Sequence, residues 1–311
     1  MKLKKNSKIF IAGHRGMVGS ALVRYFKKKR YNKIFTQNRN QLNLINQKET
    51  EKFIFRIKPD FIIIAAAKVG GILANQNYKA DFIYENLMIQ TNIINSAYRA
   101  GVKNLIFLGS SCIYPKFSKQ PIKEKYLLTS PLEPTNDAYA IAKIAGVKMC
   151  ETYSKQFKLN YLSLMPTNLY GPNDNYNQLS SHFFPALIKK IYDAKKKNKK
   201  FIKIWGDGKP KRELMYVDDL ANACEFFFKK KTKDILINIG TGIEKSIEDY
   251  AKFIMKKLNV KMKIKYDKNK PNGTPRKIVD TSLAKKYGWK PKFNLDDGFD
   301  LTFKDFLRKD K

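Results

Sequence analysis

The chain has 311 residues, 43% of them hydrophobic, enough for one large domain or two modest ones around a sizeable core and too apolar for wholesale disorder. No apolar run approaches the roughly 20 residues of a membrane-spanning helix, and residues 1–7 lack the apolar stretch of a secretory signal, so the sequence predicts a cytoplasmic protein with no membrane partner. Its 62 basic and 27 acidic residues give a net charge of +35, but the lysines run from end to end without an aromatic-interleaved motif, which predicts a solvated surface and no specific nucleic-acid partner.

The first half alternates strand and helix patterns. Residues 8–12 form a short apolar run. Residues 18–29 have helical spacing, with Val18, Ala21, Leu22, Tyr25 and Phe26 on one face. A strand is expected over 33–36 and a helix over 50–56, closed before Pro59. Residues 61–67 are continuously apolar, as in a strand buried on both faces. Long helices are expected over 81–100 and 137–157, with strands over 104–110 and 161–165. Repeated strand–helix–strand units predict an α/β fold, a Rossmann-type doubly wound parallel sheet. After Gly171 the pattern loosens, with punctuation at Pro172, Pro185, Pro210, Pro271 and Pro275 and a strand over 235–239. The expected division is a dinucleotide-binding domain over 1–171, with a returning segment near 213–240. A smaller C-terminal α/β substrate lobe would fill 172–311, mainly 172–212 and 241–311.

Gly13-His14-Arg15-Gly16-Met17-Val18-Gly19 lies between the first strand and the first helix. Its glycines permit a tight turn and close backbone approach, so a pyrophosphate can rest on the helix N-terminus. An acidic residue after the second strand would favour NAD through the ribose 2′-hydroxyl. The segment 36–40 has none, and Arg39 could instead meet a 2′-phosphate, which points to NADP(H).

Tyr139 and Lys143 stand four apart and share a helix face. The lysine charge could lower the phenol pKa for proton exchange with a carbonyl or alcohol. The strand before them ends in Gly109-Ser110-Ser111, whose hydroxyls could hold the substrate oxygen. The three cysteines, Cys112, Cys150 and Cys224, show neither zinc spacing nor a disulfide framework, and no metal site is expected. Residue type alone leaves Cys112 open between a small core residue and a titrating thiol, and His182 between a capping and a chemical role.

Strand-end serine, helix tyrosine and helix lysine resemble the triad of the extended short-chain dehydrogenase/reductase family. The blocks AGHRGMVGSA (12–21), AAAKVGGI (65–72), LGSSCIYPK (108–116), EPTNDAYAIAKIAG (133–146), MPTNLYGPNDN (165–175), SHFFPAL (181–187), WGDGKPKREL (205–214) and NGTPRK (272–277) resemble its branch acting on GDP-linked 4-keto-6-deoxy sugars. The resemblance implies NADPH-dependent 3,5-epimerisation and 4-keto reduction of GDP-4-keto-6-deoxy-D-mannose to GDP-L-fucose. It makes Ser110, Tyr139 and Lys143 the triad, Cys112 the base and His182 the acid. It places NADP(H) on Gly13 to Gly19, Arg39, Asn40, Leu44, Ala66, Leu108, Gly109, Ser111, Lys143, Pro166, Thr167, Asn168, Leu169 and His182. The GDP-sugar would meet Lys190 (with Lys189 as rival), Trp205, Arg212 and Asp280. By analogy, the two long helices would pack in a four-helix homodimer interface. The rivals are a nucleotide-sugar 4-epimerase or 4,6-dehydratase on the same fold, and a non-catalytic regulator on a Rossmann scaffold.

Overall fold

The computed structural model describes residues 2–177, 180–270 and 272–310, so the turn expected at Pro271 lies outside the described residues. In chain order the first lobe comprises β1 (Lys8–Ala12), α1 (Met17–Lys28), β2 (Lys33–Phe35), α2 (Gln47–Ile57), β3 (Phe61–Ile64), α3 (Ile72–Asn77), α4 (Lys79–Arg99), β4 (Asn104–Leu108), α5 (Asp137–Phe157) and β5 (Asn160–Pro166). Then come β6 (Asn168–Tyr170), α6 (Phe183–Lys196), β7 (Phe201–Trp205), β8 (Lys211–Tyr216), α7 (Val217–Lys229) and β9 (Leu236–Ile239). The chain ends with β10 (Glu244–Ser246), α8 (Ile247–Lys257), β11 (Lys263–Asp267), β12 (Arg276–Lys277), α9 (Ser282–Tyr287) and α10 (Leu295–Lys309).

All of β3 and β4 is buried, which requires cover on both faces of the sheet. Alternation supplies it. Ile9, Ile11, Phe61, Ile63 and Ile106 face one apolar cluster, and Phe10, Ile62, Ile64, Leu105 and Phe107 the other. The result is a six-stranded parallel sheet in the order β2-β1-β3-β4-β5-β9. Strand order reverses beside β1, and the crevice at the carboxyl ends of β1 and β3 is where such sheets bind ligands.

Some boundaries differ from expectation for local reasons. The strand expected over 61–67 ends at Ile64, because the chain leaves the sheet to wall the crevice with Ala65 to Lys68. The helix expected from residue 50 begins at Gln47, because the Asn46 side chain accepts from the Glu49 N–H and caps it. Of the segment 213–240, only β9 joins the main sheet. β8 builds a second sheet with β10 and β12 and also pairs with β6, while α7 packs on α1. A separate core of Tyr170, Phe184, Ile188, Ile204, Tyr250 and Phe299 fills the second lobe between α6, α8 and α10. The buried Glu213 carboxylate ties this lobe together, accepting from the N–H groups of Thr241 (2.6 Å), Gly242 (2.8 Å) and Val279 (2.9 Å). Among the described residues no helix is long and apolar enough to cross a membrane.

Candidate active site

A cleft of about 1030 Å³ runs from the glycine loop, past the ends of β1, β3 and β4, to the second lobe. Gly13 has φ +87°, and a Cβ there would lie 2.6 Å from the Ala66 amide nitrogen. A Cβ on Gly19 would strike the Gly13 carbonyl. The cradle therefore exists only with glycine at both positions, and it opens on the N-terminus of α1, whose first amides have no helical partner. Gly13 to Gly19, Leu44, Ala66, Leu108, Gly109, Ser111, Pro166, Thr167, Asn168 and Leu169 all line the cleft. So does Arg39, at its mouth, with a side chain 72% exposed and 3.6 Å from Glu85. Asn40 does not; it is exposed, and its N–H donates to the Asn38 side chain at 3.0 Å. No carboxylate follows β2, so the residues present fit a dinucleotide carrying a 2′-phosphate.

The chemistry-bearing side chains meet where β4 ends. Ser110 leaves the strand and its hydroxyl accepts from the Cys112 N–H at 3.3 Å. The same hydroxyl favours the ionised forms of the Tyr139 phenol and the Cys112 thiol. Lys143 is buried and donates to the Leu108 carbonyl at 2.9 Å, with its ammonium 5.8 Å from the centre of the Tyr139 ring. Burial holds Lys143 down at about 7 from an ordinary 10.5.

Burial first, and then the Cys112 charge, push the Tyr139 phenol up; only the bond with Ser110 acts downward. Tyr139 stays protonated at neutral pH, the state of a proton donor.

Cys112 lines the cleft, while Cys150 and Cys224 are buried. Burial would raise the Cys112 thiol. The Lys277 charge, the Ser110 hydroxyl and Arg212 outweigh it and hold the thiol below its ordinary value. Lys277 donates to the Cys112 sulfur at 3.1 Å. Sequence reasoning missed this residue, although the block 272–277 contains it.

His182 precedes α6, is exposed at the surface and lines the cleft; desolvation on the cleft side, then the Lys277 charge, lower its proton affinity. In the second lobe Lys190, Trp205 and Arg212 line the cleft. Lys190 donates to the Lys203 carbonyl at 2.7 Å. Its rival Lys189 is committed elsewhere, to Asp193 at 2.8 Å and Asp310 at 2.9 Å. Asp280 stands outside the cleft wall: its carboxylate accepts from the Ser282 N–H at 2.8 Å and lies 4.0 Å from Lys123.

A dinucleotide cradle joined to a serine–tyrosine–lysine centre at the carboxyl edge of a parallel sheet defines an α/β oxidoreductase of the short-chain type. The chain belongs to the NAD dependent epimerase/dehydratase family, whose model matches residues 9–240. It is 48% identical over 304 residues to GDP-L-fucose synthase 1 of Arabidopsis thaliana, covering 98% of this chain and 94% of that one. It is 44% identical over 309 residues to GDP-L-fucose synthase of Escherichia coli K12, covering 96% of each. A GDP-mannoheptose C4 reductase from Campylobacter jejuni, solved with NADP bound, superposes with a TM-score of 0.90 at 36% identity, over 98% of this chain and 99% of that one.

Proposed function

We propose that this chain is an NADPH-dependent enzyme that epimerises carbons 3 and 5 of GDP-4-keto-6-deoxy-D-mannose and reduces its carbon 4 ketone, giving GDP-L-fucose. The observation that carries the reading is the Cys112 thiol, 3.1 Å from the Lys277 ammonium and lining one cleft with Ser110, Tyr139 and His182. Simple 4-epimerisation needs no second acid–base pair, so a cationically supported thiol beside the triad favours chemistry next to the ketone. The names of the two relatives above support the GDP-linked sugar, and the NADP in the Campylobacter structure supports the cofactor.

NADP(H) would lie on Gly13 to Gly19, with Arg39 toward its 2′-phosphate and Asn168 and Leu169 along its nicotinamide. When bound, it supplies the hydride for carbon 4. The ketone acidifies the C–H bonds on both sides. Cys112 takes the proton from carbon, and the electron pair moves to the carbonyl oxygen. Ser110 and Tyr139 hydrogen-bond that oxygen as it gains charge. His182 returns a proton to the opposite face; Cys112 then releases its proton to solvent through the open cleft, and His182 is reprotonated from it. In the reduction, Tyr139 gives its proton to the carbon 4 oxygen. Lys190 and Arg212 would meet the diphosphate, and Trp205 would pack on the nucleoside. We place the protein in the cytoplasm as a homodimer through α4 and α5, without specific nucleic-acid binding, and divide the labour between a cofactor lobe and a substrate lobe.

The test is turnover with this substrate and NADPH in heavy water. NADPH oxidation with deuterium at carbons 3 and 5 is the expected result. In Cys112→Ser deuterium incorporation falls by at least about 100-fold, and His182→Gln loses inversion. Reduction without any deuterium would leave a plain keto-sugar reductase and sink the epimerase half of the reading.

A further inference from the structure

Lys277 lies on β12, which pairs in parallel with β8 so that Lys277 sits opposite Arg212. Two cations from the second lobe thus stand side by side facing the end of β4 in the first. Their neighbours on the same strands are spent differently: Arg276 is paired with Glu244 at 2.7 Å. Among the described residues, Lys277 makes no ion pair with a carboxylate, and its ammonium is directed to the Cys112 sulfur at 3.1 Å. The backbone that carries it is fixed on both sides of the strand. Lys211 N donates to the Pro275 carbonyl at 2.9 Å, Ile122 N donates to the Ile278 carbonyl at 2.8 Å, and Val279 N donates to Glu213 at 2.9 Å. A lysine left without a carboxylate, on an anchored strand and aimed at one sulfur, is placed for that sulfur.

We propose that Lys277 is the positioning cation of Cys112, holding its sulfur as a thiolate aimed into the cleft. This rests on the reading of Cys112 as the base for epimerisation. Lys277 does not touch the reacting carbon; it acts through the sulfur. The charged or titratable groups around that sulfur are Lys277 and Arg212 from the second lobe and Tyr139 from α5. Glu133 lines the same cleft and acts on Arg212 but is paired with Lys116 at 3.2 Å, and His182 feels the Lys277 charge. Of these, Lys277 alone donates directly to the sulfur, so removing it should unload the thiolate more than any other single change.

The experiment reads the sulfur itself. Cys150 and Cys224 are fully buried, so iodoacetamide on the folded protein reports Cys112. Alkylation rate is measured against pH for the unaltered protein, Lys277→Met and Lys277→Arg, with circular dichroism to confirm folding. In Lys277→Met the midpoint should move to higher pH and the rate at pH 7 should fall by about tenfold, while Lys277→Arg should restore most of it. A structural role would leave the alkylation profile of the folded variant where it was, and that outcome overturns the proposal. Deuterium incorporation in Cys112→Ser separates the two readings. If it survives there, Cys112 is not the base, while the alkylation profile still decides whether Lys277 governs the sulfur.

Discussion

Lys143 carries the largest electrostatic conflict in the site. Among the described residues it is buried without a carboxylate partner and bonded to the Leu108 carbonyl alone, and burial holds it at about 7. In the unfolded chain it would titrate near 10.5, so below that pH the unfolded state binds more protons than the folded one, and folding loses stability. The loss grows as pH falls from 10.5 toward 7 and is complete below it. Lys143→Met removes the buried ammonium at the expense of one hydrogen bond. We therefore expect the ligand-free variant to be more stable than the parent by about 1–3 kcal/mol at pH 7, with the gap closing as pH rises toward 10. Urea unfolding at both pH values checks this, and turnover should be lost in the same variant. Tyr139→Phe isolates the other half of the pair. It should cut reduction by about 100-fold or more while leaving cofactor affinity nearly intact, since the phenol is the proton donor and not part of the cradle; NADPH oxidation and fluorescence titration separate the two effects.

Helix α5 shows how an element's packing sets the chemistry at its end. Tyr139 and Lys143 are one turn apart, and Gly146 lies one turn beyond, where the helix presses on β4 and α4. A Cβ on Gly146 would lie 2.5 Å from the Phe107 ring and 2.8 Å from the Gln90 side-chain oxygen. Phe107 also lies under the Lys143 ammonium, 4.7 Å from ring centre to nitrogen. Gly146→Ala must push α5 outward or turn Phe107, either of which moves the lysine. The expected result is a loss of about 1–3 kcal/mol of stability with a lower kcat and a KM changed less, measured by thermal unfolding and steady-state kinetics.

The same helix explains what the sequence made legible. Residues 137–157 carried helix pattern and motif together, and the structure has that helix end to end. Strand β3 was legible for a different reason: its four residues are all apolar and buried, so the run is continuous. The second lobe was not, because β8, β10 and β12 are held by pairing and by Glu213 instead of an apolar signature, and β12 has two residues. That is why Lys277 was missed; Asp280 came from the resemblance, and the structure sets it outside the cleft wall. In a chain with 62 basic residues a lysine carries no signal until its partner is known, and only a contact across 165 positions marks this one.

At the scale of the molecule, the surplus charge acts on two processes with opposite sign. A chain at +35 attracts a diphosphate sugar and a phosphorylated dinucleotide, and it repels its own copy. The faces of α4 and α5 that would join in a homodimer expose Tyr84 (57%) and Ile141 (47%), apolar groups whose burial is indifferent to salt. Screening shortens the reach of charge from about 14 Å at 0.05 M to about 4 Å at 0.5 M ionic strength. Over that range kcat/KM should fall several-fold through slower capture, with kcat nearly unchanged. The average mass in light scattering should meanwhile stay at or move toward twice 36.1 kDa. Ile141→Lys adds charge at the proposed seam and should shift the low-salt mass toward that of one chain, with salt restoring part of the loss. A mass of one chain at every salt concentration and micromolar protein would remove the homodimer, and a kcat/KM independent of salt would show that the positive surface plays no part in capture.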